Sequence, residues 1–100
     1  MRVRFTPEAL LAVREKRAWW VQHRDKAPDL FVQELAAIVA KLRDGTDTER
    51  QQFAARGGHI IWRILMPKTG NHVYYRINAR AAEVDVLLVC NATAGRTPDV

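Results

Sequence analysis

The chain has 100 residues, 48% of them hydrophobic, which suits one packed domain and argues against a disordered chain. Its lone cysteine, Cys90, excludes an internal disulfide, and with no secretory leader and no apolar run near the roughly 18 residues of a bilayer span, the expected location is the cytoplasm. A net charge of +5 and a pI of about 10.0 favour an acidic partner, nucleic acid or protein, without bearing on fold.

In chain order, Arg2 to Thr6 alternates Val3 and Phe5 against Arg2 and Arg4, predicting a short strand. Thr6 can cap the helix that follows, Pro7 suits its first position, and Glu8 complements its dipole. That helix should run to about Asp25, with Leu10, Val13, Trp20 and Val21 as its apolar stripe. Pro28 breaks the pattern and Pro28-Asp29 opens a second helix. There Phe31, Leu35, Ile38 and Leu42 recur at i, i+4, i+7 and i+11, widened by Val32 and Val39 and stopped at Gly45. The short link predicts an antiparallel helical hairpin. Thr46-Asp47-Thr48-Glu49 has capping-box spacing, so residues 46–58 read either as a short helical turn or as an irregular polar loop. Gly57-Gly58 reads as a flexible hinge.

Three strands follow. His59 to Met66 alternates Ile60, Trp62, Ile64 and Met66 against Ile61, Arg63 and Leu65. Pro67-Lys68-Thr69-Gly70 is a turn, and Asn71 to Asn78 sets Val73, Tyr75 and Ile77 against His72, Tyr74 and Arg76. Glu83 to Asn91 is apolar on both faces except at its ends, as a central strand is, and Cys90 falls on its apolar phase. The expected fold is α+β: a two-helix hairpin packed on one face of a mostly antiparallel four-stranded sheet, order β-α-α-β-β-β, in a single domain. Pairing side chains on a common face requires residue numbers with an odd sum. Trp62 opposite Tyr75 and Arg63 opposite Tyr74 satisfies this, whereas the next register sets Arg63 against Arg76, an unfavourable like-charge pair. Arg63 could then lie over the Tyr74 ring. With the helices on the other face, Arg63, His72, Tyr74 and Arg76, joined by Arg2 and Arg4, stay uncovered.

Neighbouring Trp19 and Trp20 cannot both face a core, so Trp20 is assigned inward and Trp19 to half-exposed packing or a partner groove. His72 is either a surface histidine or a proton acceptor, and Arg63 and Arg76 either solubilise the face or bind a partner. No residues show metal-ligand spacing and no glycine-rich phosphate loop occurs, so no cofactor or metal is expected.

The ordered combination of VRFTPEA, WW…APDLFVQEL, GNHVYYRI, VDVLLVCNA and the basic tail GRTP resembles the RelE/ParE superfamily, toxins of bacterial type II toxin–antitoxin systems, over nearly the whole chain. The resemblance implies a small toxin neutralised by direct contact with its antitoxin. RelE-like members cleave mRNA in the ribosomal A site; ParE-like members poison DNA gyrase. In the nuclease branch, Arg63 would fill one basic position, His72 would stand where an arginine follows the turn, and Arg96 would be the tail cation. Leu65, however, occupies the place of a second lysine, and no tyrosine follows Arg96. This departure points to the ParE branch, with Trp19, Arg63, Tyr74, Arg76 and Arg96 as partner-binding residues. The alternative, a ribosome-dependent endoribonuclease, would use His72 or Tyr74 for protons and Arg63, Arg76 and Arg96 for phosphate. The antitoxin should be acidic where it binds, adding a strand to the sheet edge or a helix along the hairpin. Stoichiometry with antitoxin and self-association stay open.

Overall fold

A computed structural model describes residues 1–24, 27–92 and 98–100. Its elements are β1 (Arg2–Phe5), α1 (Pro7–His23), α2 (Leu30–Asp44), β2 (Gln51–Arg56), β3 (His59–Met66), β4 (Asn71–Asn78) and β5 (Glu83–Asn91). Local chemistry sets several of these limits. Thr6 Oγ1 accepts the Ala9 N–H at 3.2 Å, the expected cap, and donates to the Leu87 carbonyl at 3.2 Å, which fastens the start of α1 to β5. Gly45 ends α2 with φ 71°, a left-handed conformation that a residue with a Cβ adopts at a cost.

The sheet runs β1-β5-β4-β3-β2, with β1 parallel to β5 and every other pairing antiparallel. The helices lie on one face. Pairing of β3 with β4 follows the register expected from parity, Trp62 opposite Tyr75 and Arg63 opposite Tyr74, around the Pro67–Gly70 turn. The turn is fixed from α2: the buried Glu34 carboxylate accepts the backbone N–H groups of Lys68 (2.6 Å) and Thr69 (2.9 Å) and the Thr69 hydroxyl (2.7 Å). Burying these oxygens is tolerated because three donors replace the water they give up.

Phe31, Leu35, Ile38 and Leu42 of α2 are all buried, as their spacing predicted, and meet Ile64, Met66, Val73, Tyr75, Val84, Val86 and Val89 of the sheet. At about 1.5–3 kcal/mol for each large side chain, an upper bound, α2 is the anchoring helix. The stripe expected on α1 is half corrected. Val13 and Trp20 turn inward as expected, but Leu10 and Val21 are 45% and 53% exposed, and Ala9 is the buried residue of the first turn. The bond from Thr6 to Leu87 ties the start of α1 to β5, and Ala9, with no exposed surface, lets its first turn approach the sheet closely. Val32 is likewise exposed, not core.

The second correction concerns residues 46–58, which form neither a helical turn nor an irregular loop throughout. Gln51–Arg56 is a strand on β3, so the sheet has five strands, not four, and the order is β-α-α-β-β-β-β. Gly57-Gly58 is no hinge. It is the two-residue turn of the β2–β3 hairpin, with Arg56 opposite His59 and φ values of 55° and 81°. Two successive positive φ values match the twist of paired strands, and glycine adopts them most easily. Upstream, the Tyr75 hydroxyl donates to Asp47 Oδ2 at 2.5 Å in the interior. Asp47 also accepts from Arg50 at 3.3 Å, and the Arg50 guanidinium lies 4.5 Å from the Trp62 ring centre. These contacts hold the chain in place between α2 and β2.

Candidate functional site

The sheet face away from the helices carries Arg63 of β3 and His72, Tyr74 and Arg76 of β4, because these alternate with the core residues Ile64, Val73, Tyr75 and Ile77. Two irregularities complete this face. The β2–β3 register shifts between Gln52 and Ala54, placing Phe53 against Tyr74 with ring centres 4.9 Å apart, edge to face. The β4–β5 register shifts between Tyr74 and Tyr75, so Leu87 is an extra residue and the phase of β5 reverses beyond it. Val89 therefore joins the core, and Leu88 and Cys90 lie opposite Tyr74 and His72. Cys90, expected on the apolar phase of this strand, is half-buried on the helix-free face instead.

Tyr74 is buried at 3% exposure, although not beneath the helices. Phe53 covers it from β2, and His72 stands edge-on at 5.9 Å. Arg63 does not lie over the Tyr74 ring as expected. Its guanidinium sits 5.6 Å from the Phe53 ring centre and its Nε donates to Gln51 at 3.3 Å.

Charge on the face is partly committed. Arg76 pairs with Asp85 at 3.2 Å, and Arg2 and Arg4 share Glu83, Arg4 at 3.3 Å. Hydrogen bonding by Arg2, reinforced by Arg4, holds the Glu83 carboxyl below the usual range. Burial lowers the pKa of His72, and the nearby Arg63 charge lowers it further, so the imidazole is neutral at pH 7. Burial pushes the Tyr74 phenol and the Cys90 thiol up, which keeps both protonated and leaves Cys90 a poor nucleophile.

The structure thus brings Arg63, His72 and Tyr74 together, and holds Arg76 beside them in an ion pair. It does not bring Trp19 to them: that side chain is 45% exposed on α1, across the sheet. Arg96 lies outside the described residues. Phe53, Glu83 and Asp85 escaped the sequence reading of the face. The signal for the acidic pair was present, since Glu-Val-Asp opens β5 with its carboxylates on one side. For Phe53 there was no comparable periodic signal, because a bulge aims it.

No protein-family model and no curated protein matches the sequence. The fold is similar to a chain of the archaeal RelE–RelB complex from Pyrococcus horikoshii OT3, with a TM-score of 0.57 and 11% sequence identity. The match covers 94% of this chain and 97% of that one, so the likeness is one of whole fold.

Proposed function

We propose that this chain is the toxin of a toxin–antitoxin pair and acts by binding, with DNA gyrase the target implied by its resemblance to the ParE branch. The fold shared with the RelE–RelB chain supports the first part, as does a basic chain suited to an acidic antitoxin. The observation that carries the second is the commitment of the sheet-face cations: Arg76 to Asp85, and Arg2 and Arg4 to Glu83. Arg63, bonded to the neutral Gln51, is left as the uncompensated guanidinium beside His72 among the described residues. Phosphodiester cleavage needs a base, an acid and cations converging on one phosphate. Around Arg63 the face is apolar, with Phe53, Leu65 and Leu88, and Arg56, another cation outside these ion pairs, sits at the far end of the β2–β3 hairpin, so the face suits docking better than cleavage. The test is a supercoiling assay with purified gyrase. Inhibition with accumulation of cleaved DNA is expected, and its absence at excess protein refutes the reading.

One observation favours a second reading, the ribosome-dependent endoribonuclease. His72 is neutral, next to Arg63 and edge-on to a phenol, an arrangement able to take a proton from a 2′-hydroxyl. Translation-coupled mRNA cutting that His72→Ala abolishes would establish it, and cutting unaffected by that change would eliminate His72 from the role.

A further inference from the structure

On the helix side of the sheet, between the second half of α1 and the β3–β4 turn, lies a cleft of about 520 Å³ that the proposed function does not use. One wall is a flank of α1 carrying Lys16, Trp19, Trp20 and Arg24; Thr69 and Asn71 line the other side. This volume falls within the range of small-ligand sites. Its aromatic wall is ordered by its own contacts. Trp19 and Trp20 meet edge to face at 5.8 Å, and His23 stacks on Trp19 at 4.7 Å while its Nδ1 donates to the Trp19 carbonyl at 2.8 Å. The Arg24 guanidinium is held 5.5 Å and 5.7 Å from the two indole centres. Contact with two rings reduces the freedom of the guanidinium and keeps it on the cleft wall. No carboxylate among the described residues pairs with Arg24 or Lys16, which stand two helical turns apart, about 12 Å along the axis. Glu15 also borders the cleft, and a carboxylate there opposes a polyanion while accepting from hydroxyl or amino groups.

We propose that this cleft binds a small aromatic anion of the class of a nucleoside monophosphate, its phosphate on Arg24 or Lys16, its base against the indoles and its hydroxyls toward Glu15 and Thr69. The inference is independent of the proposed toxin activity, and its test needs neither antitoxin nor gyrase. The full chain is titrated with AMP, GMP, CMP and UMP, following the indole N–H resonances of Trp19 and Trp20, with Trp62 as internal control. At least one nucleotide is expected to saturate with Kd below about 1 mM. Arg24→Gln or Lys16→Gln should weaken it about tenfold, and adenosine or inorganic phosphate alone should bind about tenfold more weakly. Both substituted residues point into the cleft from an exposed helix flank, so a matching thermal melt establishes that the variants are folded. Arg63→Gln, across the sheet, should leave binding unchanged. The proposal is overturned by no saturable shift, by equal binding of phosphate or adenosine alone, by indifference to both cleft cations, or by an equal loss in Arg63→Gln.

Discussion

The Tyr75–Asp47 contact decides whether the chain between α2 and β2 is held in place, and its strength can be measured. Tyr75 has no exposed surface and Asp47 3%, and the hydroxyl donates at 2.5 Å to a carboxylate that also accepts from Arg50. Burial, with the adjacent Asp47 charge, pushes the Tyr75 phenol far above its ordinary pKa, so it stays a donor across the accessible pH range. Tyr75→Phe removes the hydroxyl and keeps the ring, so no large cavity opens. A hydrogen bond to a charged group contributes about 1.5–3 kcal/mol, and the expected loss is about 2 kcal/mol. In a domain of this size that lowers Tm by about 8–16 °C. Asp47→Ala should cost somewhat more, because Arg50 also loses its partner. In the double variant the two losses should fall short of additive by about 2 kcal/mol. Urea denaturation followed by tryptophan fluorescence measures all four proteins, and hydrogen exchange should show the Gln51–Arg56 amides opening earlier in Tyr75→Phe. Additivity within about 0.5 kcal/mol would refute the claim that this bond anchors β2.

Three further outcomes are expected of the same fold. Gly58→Ala, at φ 81°, should destabilise by about 1–2 kcal/mol in a denaturant titration, because a Cβ there strains the hairpin turn. His72 should titrate below 6.5 by NMR, and Arg63→Gln should raise it toward that value. Since its folded pKa is the lower, the unfolded chain binds more protons as pH falls through about 6.5, so this group's contribution weakens stability on acidification until the folded pKa is passed. Finally, Ala9→Leu should overpack the contact between α1 and the sheet and cost about 1–3 kcal/mol, whereas Leu10→Gln should change thermal stability by less than about 0.5 kcal/mol. The reverse ranking would mean that α1 is rotated as its hydrophobic stripe suggested.

Much of the helix-free face was legible beforehand. The two-residue rhythm of β3 and β4 placed Arg63, His72, Tyr74 and Arg76 on one side, and parity with like-charge repulsion chose the observed register. The condition of those residues was not legible. Arg76 meets Asp85 because β5 returns beside β4, and Arg2 meets Glu83 across 81 residues of chain because β1 docks parallel to β5. Tyr74 is dry because a bulge in β2 turns Phe53 over it, and Cys90 lies on the helix-free face because a bulge in β5 reverses the phase.

What the amino-acid order determined alone was what short-range physics controls: the Thr6 cap, the Gly45 stop, the stripe of α2 and the alternation of His59–Met66 and Asn71–Asn78. Gln51–Arg56 has no comparable rhythm, since four of its six residues are exposed, none is fully buried, and a bulge interrupts its pairing. It becomes a strand because β3 offers a free edge, Gly57-Gly58 turns the chain back onto it, and Asp47 is tied to Tyr75. The rotation of α1 was settled in the same way, by how closely Ala9 approaches the sheet. Such choices rest on contacts between residues far apart in sequence, and those contacts exist only once the whole sheet has assembled.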